Sequence, residues 1–187
     1  MQLSKGGSRI CMIGKRYAEY AETQVSKVVS DQFNTAPQVR FEEEKSMNLA
    51  MLNIQNEKLT TAVHDISQGG LIQAITEMIG GDRNWPVAGA QISCPEAFSL
   101  FSWLFSENGG YVFEVSAENI SKIEAICNAN DVILYDLGEV TAKLDLVIKS
   151  DSESDISISV TELLKSWNSK NLVTVGTPIY NNDLKEK

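Results

Sequence analysis

Residues 60–78 read TTAVHDISQGGLIQAITEM, and their reading decides the fold. Thr60–Val63 is a short β-branched step of the kind that favours a strand. After Gly70, the residues Leu71, Ile72, Ile75, Met78 and Ile79 recur on one side of a helix. Gly80-Gly81 then stops it. A strand therefore feeds a helix through a loop that holds the chain's one histidine. If the strand ends at His64-Asp65 and the helix begins near Gln68, Ser67 falls at or near the N-cap. Gly69 and Gly70 remove side chains where a ligand would approach free N–H groups, which is how phosphates are often held at helix starts. His64 could donate to an anion or act as acid or base, and Asp65 could accept loop hydrogen bonds or bind a cation. The same residues also suit plain packing. Asp and Ser are ordinary loop and cap residues, and a Gly pair permits close helix–strand contact. On these residues alone both readings stay open.

Outward from this unit, strands and helices interleave. Arg9–Ile13 is a strand candidate closed by Gly14, and 17–31 carries helix formers with Tyr17, Tyr20, Ala21 and Val28 on one face. Asn34-Thr35-Ala36-Pro37 breaks the chain. A helix runs from Glu42 to about Gln55, with acids in its first turn and apolar positions Met47, Leu49, Ala50, Met51, Leu52 and Ile54. Trp85-Pro86 marks a loop and Ala88–Ser93 a strand. Pro95 suits a helix start, so PEAFSLFSWLFSE (95–107) reads as a buried helix. Strand 111–115 follows Gly109-Gly110, then a helix with Ile120, Ile123, Ile126 and Cys127 inward. Strands at 132–140 and 144–149 are joined by a short turn, and strand 156–160 leads to a helix at 161–167. Short connections and interleaved elements imply an α+β (α/β-like) fold, a mixed β-sheet flanked by helices. The alternating polarity of YVFEV and ISISV suggests a partly solvated sheet face and antiparallel pairing. We expect one domain over 1–187, flexible at 1–6 and 176–187.

Composition narrows the function classes. The chain has 187 residues, 43% of them apolar, enough for a sizeable core. Lys and Arg number 16 against 25 Asp and Glu, a net charge of -9. That field repels phosphodiester backbones and anionic membranes, so neither a nucleic-acid nor a membrane partner is expected. No apolar run approaches the roughly 18 residues of a spanning helix. Cys11, Cys94 and Cys127 are odd in number and far apart, which suggests reduced thiols and a cytoplasmic setting. One histidine cannot supply a Cys/His metal set, and no G-x-S-x-G elbow accompanies it. Glu42–Glu44 reads as a solvated helix start rather than a catalytic cluster.

HDISQGGLIQAITEM (64–78) resembles the HDISEGGL…A..EM signature of the second half of phosphoribosylformylglycinamidine synthase (formylglycinamide ribonucleotide amidotransferase, synthetase subunit II), within the aminoimidazole ribonucleotide synthetase-like superfamily. GSRICMIGK (7–15) is similar to the strand that opens the same C-terminal domain. APQVRFEEEKSMNLAMLNIQNEKLTTAVHDIS follows that domain's order of turn, acidic helix and β-branched step. LFSENGGYVFEV (104–115), DLGEVT (136–141) and LLKSWNS continue the resemblance in order over about residues 7–168.

The resemblance implies a C-terminal domain of an enzyme that converts formylglycinamide ribonucleotide to formylglycinamidine ribonucleotide with ATP and glutamine-derived ammonia. It implies ATP and magnesium in the parent enzyme, held mainly by an N-terminal domain, and none bound to this domain alone. Its partners would be the N-terminal domains of the parent, a glutaminase and small accessory subunits. The chain then reads as an excised domain, inactive by itself. His64, Asp65, Ser67, Gly69 and Gly70 become the substrate- or phosphate-binding candidates, with no metal ligand and no assured catalytic residue. Three departures bear on these roles. Ala21-Glu22-Thr23 stands where relatives have Gly-Gly-Ser, Gln68 replaces an acid, and Tyr111 stands where Arg is common. The alternatives are a sister member (aminoimidazole ribonucleotide synthetase or thiamine-monophosphate kinase) or a purely structural or interaction domain.

Overall fold

The computed structural model describes residues 2–4, 6–29, 33–81, 86–151, 154–168, 173–174 and 177–178. Trp85 and most of the 176–187 tail, both singled out above, lie outside them. Seven strands build one sheet: β1 (Arg9–Ile13), β2 (Thr60–Ile66), β3 (Gly89–Cys94), β4 (Gly110–Val115), β5 (Leu134–Thr141), β6 (Asp145–Ser150) and β7 (Ile156–Ser159). Their order is β2-β4-β1-β5-β3-β6-β7. All described pairings in it are antiparallel except β3 with β6. β8 (Val173–Thr174) and β9 (Thr177–Pro178) form a separate two-stranded ribbon.

Five helices flank the sheet: α1 (Phe41–Asn56), α2 (Gly70–Gly80), α3 (Leu100–Phe105), α4 (Ile120–Ala129) and α5 (Val160–Asn168). Strand side chains alternate between faces, and the core divides accordingly. Ile10, Met12 and Val112 join Leu71, Ile75, Met78, Trp103 and Leu164 on the α2–α3–α5 side. Cys11, Ile13, Phe113 and Val115 join Met47, Ile54, Ile123 and Cys127 on the α1–α4 side. The mixed, helix-flanked sheet expected from the sequence is therefore present, in three layers.

Several expected elements differ. Among the described residues of the 17–31 stretch there is no α-helix, and Val25–Lys27 forms a single 3-10 turn. Its backbone is taken by distant partners, with Tyr17 N–H donating to Asn108 Oδ1 at 3.1 Å and Ala21 N–H to the Thr35 carbonyl at 2.9 Å. The 95–107 helix shrinks to Leu100–Phe105, because Ser99, not Pro95, caps it by accepting the Ser102 N–H at 3.1 Å. Leu49 and Leu52 face solvent rather than the core. The strands at 134–141 and 145–150 are not neighbours, since β3 lies between them. Gly89 opens that crossing, for a Cβ there would stand 2.2 Å from the Lys143 carbonyl oxygen.

The polarity of YVFEV also has a different cause. β4 is covered on both sides, and Glu114 is fully buried. Its carboxylate accepts the Ser4 N–H at 3.0 Å and the Ser4 and Ser8 hydroxyls. Residues 2–4 are docked along with it. Leu3 is buried and donates its N–H to the Met78 carbonyl at 3.0 Å.

Candidate functional site

Antiparallel pairing brings one end of each of β1, β2, β4 and β5 together, because Ile13 pairs Tyr111 and Leu134 while Ile66 pairs Gly110. The loops leaving those ends converge: 14–24, 67–69, 106–109 and 131–133. The HDIS loop therefore sits in a larger loop cluster.

β2 runs to Ile66, so His64 and Asp65 lie within the strand rather than at its end. His64 is largely buried, its side chain 11% exposed. Its Nε2 lies 2.8 Å from Glu77 Oε2 on α2, and its Nδ1 lies 2.7 Å from the Asp65 carbonyl oxygen. Glu77 also accepts from Gln73 at 2.7 Å, tying His64 into the helix surface. The Asp65 carboxylate is solvent-exposed and 3.7 Å from Nδ1, beyond hydrogen-bond range.

Ser67 is exposed and does not cap the helix. Gly69 takes the N-cap position in the left-handed region at φ 80°, and Gly70 follows at φ 73°. The pair is required by packing as well as conformation. A Cβ on Gly70 would stand 2.6 Å from the Leu104 carbonyl oxygen of α3. Two N–H groups of the turn have protein partners: Gly70 donates to the Ser67 carbonyl at 3.1 Å, and Gly69 to Glu107 Oε1 at 2.8 Å. The same Glu107 oxygen accepts the Gln24 N–H at 2.7 Å.

Beside this loop lies a polar network that sequence reading missed. Arg16 is 5% exposed and donates to the carbonyls of Ser106 at 3.2 Å and Gly109 at 2.6 Å. Among the described residues no carboxylate pairs with it, and burial pulls its guanidinium down to about 10. Glu19 is buried and forms a two-pronged ion pair with Arg40. It also accepts the Gln38 N–H and Asn108 Nδ2, each at 2.9 Å. Chiefly through the Arg40 hydrogen bond, these partners hold its carboxyl near 2. Arg40 lies 3.6 Å over the Tyr17 ring, and the Tyr17 hydroxyl donates to Glu43 at 2.7 Å. Lys15 reaches Glu43 at 3.1 Å, so one member of the acidic helix start is engaged rather than merely solvated. The pairs named here lie 19 to 93 residues apart, and such pairing carries no local sequence signal. A cavity of about 180 Å³ opens here, lined by Lys15, Tyr17, Arg40, Glu44, Asn108 and Ile133 among others. Among the described residues no group of three or more His, Cys, Asp or Glu is placed to hold a metal ion.

A three-layer domain whose loops gather at one end of a mainly antiparallel sheet is the class that the architecture defines. The sequence profile described as AIR synthase related protein, C-terminal domain, matches residues 16–151, and the chain belongs to that family. It is 28% identical over 171 residues to the phosphoribosylformylglycinamidine synthase subunit PurL of Thermococcus sibiricus, covering 90% of this chain and 23% of that protein. The PurL subunit of Methanobrevibacter smithii is 30% identical over 146 residues, covering 75% and 20%. The chain thus spans about a fifth of the length of the curated relatives it matches. In fold it resembles T. maritima PurL complexed with FGAR, with a TM-score of 0.74 at 16% identity over 87% of this chain and 29% of that one. T. maritima PurL complexed with ATP gives a TM-score of 0.65 at 18% identity, over 87% and 26%.

Proposed function

We propose that the chain works as a C-terminal domain of a phosphoribosylformylglycinamidine synthase, acting only with a nucleotide-binding partner domain. The parent reaction is ATP-dependent amidation of formylglycinamide ribonucleotide by glutamine-derived ammonia. The observation that carries this reading is the collinear similarity to PurL subunits over 90% of the chain. It favours this reading over a sister synthetase or kinase of the same superfamily. In this reading the ATP and magnesium ligands belong mainly to the partner domain, and a glutaminase and small accessory subunits complete the assembly. The setting is cytoplasmic; among the described residues no helix is long and apolar enough to cross a membrane.

His64, Asp65, Ser67, Gly69 and Gly70 serve, in this reading, to frame the shared cleft. The Glu77 contact of His64 and the α3 contact of Gly70 support a positioning role rather than proton transfer. The network around Glu19 and Arg40 stiffens the neighbouring loops. The test is an amidation assay with ATP, magnesium, ammonia and the ribonucleotide, read by mass spectrometry of the product. The chain alone should give no turnover. A chimera carrying this chain in place of the second-half C-terminal domain of T. maritima PurL should remain active. Turnover by the isolated chain, or a folded but dead chimera, would overturn the proposal.

A further inference from the structure

The sequence holds one Asn-Gly step, Asn108-Gly109, in the turn between α3 and β4. A glycine after asparagine leaves its backbone nitrogen free of side-chain hindrance, and asparagine is among the thermally labile residues. That nitrogen can add to the Asn108 side-chain carbon Cγ. The Cγ–Nδ2 bond then breaks and ammonia leaves, so a five-membered succinimide remains. Water adds to either ring carbonyl and opens the ring, leaving aspartate or isoaspartate. One amide and one water go in, one carboxylic acid and one ammonia come out, and no oxidation state changes.

In the folded chain the groups this reaction needs are held elsewhere. Asn108 is 6% exposed. Its Nδ2, the leaving group, donates to Glu19 Oε2 at 2.9 Å. Its Oδ1 accepts the Tyr17 N–H at 3.1 Å and the Ser106 hydroxyl. Arg16 spans the Ser106 and Gly109 carbonyls and so braces the turn against ring closure. The product also fits worse than the starting amide. A carboxylate at 108 has no N–H to give Glu19, whose own carboxyl is held near 2 and is therefore charged. Two anions would then share one buried contact, where low dielectric makes their repulsion strong.

We propose that Asn108-Gly109 is a deamidation site that the network of Glu19, Arg16 and Tyr17 holds shut. Conversion at 108 releases the 14–24 loop from the α3–β4 turn and is not reversed by refolding. The loop cluster, rather than the core, then sets how long the folded site lasts. This is independent of the amidation reading, and the two can fail separately.

The experiment incubates the whole chain in mildly alkaline buffer, folded and in urea, and follows residue 108 by peptide mass spectrometry. Folded wild type should convert on the order of 10–100-fold more slowly than the unfolded chain, as expected when two or three bonds must open together. Glu19→Ala should convert faster than wild type when folded and at the same rate when unfolded; if it does not fold, Ser106→Ala is measured in its place. Asn108→Asp supplies the product directly. Its Tyr17 amide should lose protection from hydrogen exchange while the Ile75 amide in α2 keeps it. Equal rates for folded and unfolded wild type, or no effect of opening the network, would overturn the lock. No conversion in the unfolded chain would overturn the site. An Asn108→Asp chain that keeps Tyr17 protected, or that loses protection throughout, would overturn the release of the loop.

Discussion

The β2–α2 unit and the 14–40 segment meet at the same end of the sheet, yet they are held in opposite ways. Residues 60–80 are a strand and a helix stabilised by burial, with Leu71, Ile75 and Met78 all at 1% exposure or less. The described residues of 14–40 contain one 3-10 turn and are stabilised by charges and hydrogen bonds to remote residues. The first region loses stability when volume is removed. The second loses it when a charge or donor is removed, and so responds to pH.

The largest effect should come from the burial-held side. Ile75→Ala removes a side chain that is 1% exposed between α2 and the sheet, which costs about 2–5 kcal/mol for buried aliphatics. Urea denaturation measures it directly. A loss below about 0.5 kcal/mol, the usual surface value, would mean that α2 does not pack as described. Gly70→Ala comes next. It forces a side chain into a left-handed backbone and into the Leu104 carbonyl, so strain and overpacking together should cost roughly 2–4 kcal/mol. A neutral result would show that α3 can move away from α2.

The two regions also differ in what the sequence could reveal. The apolar spacing after Gly70 defined the α2 stripe because periodic burial is a local pattern. Even there, His64 ran deeper into the strand than the loop chemistry suggested, since β4 pairs it up to Ile66. Residues 17–31 have helix-forming composition, but Asn108, Ser106 and Glu107 capture their N–H groups from up to 91 residues away. No window along the chain contains that competition. The same limit hid Arg16, Glu19 and Arg40, which look like surface charges in sequence and become a partly buried network only when β1, α1 and the α3–β4 turn meet.

Glu19→Gln tests the charge-held side. The variant weakens a bidentate pair and two further bonds, so about 1.5–3 kcal/mol is expected near neutral pH. The sign follows from the folded carboxyl sitting near 2, below its ordinary 4.5. A depressed value means stability that is fully present above about 4.5 and drains away as pH falls toward 2. The gap between wild type and variant should therefore close over that window in denaturant titrations. A gap that stays constant to pH 2 would remove the ion pair as its source. Ile75→Ala, by contrast, should show a gap independent of pH, which separates the two regions in one experiment.

The smallest effect on folding, and the sharpest on association, belongs to the outer face of α1. Phe41 is 79% exposed and Val39 beside it 61%, while Leu52, three turns further along the helix, is 58% exposed. None of these side chains supports the core, so Phe41→Ser should change stability by no more than about 0.5 kcal/mol. An isolated exposed apolar residue is ordinary, but several along one helix are costly in water and suit a domain contact. Domain interfaces within a chain cover roughly 600–1,500 Å², and we expect this helix to contribute to one against the partner domain. In isolation the chain should then self-associate as concentration rises, and Phe41→Ser should weaken that association in sedimentation velocity. A wild-type chain that stays monomeric at high concentration would leave α1 as a free surface. The partner contact would then have to be sought at the loop cluster around Arg40 and Ile133.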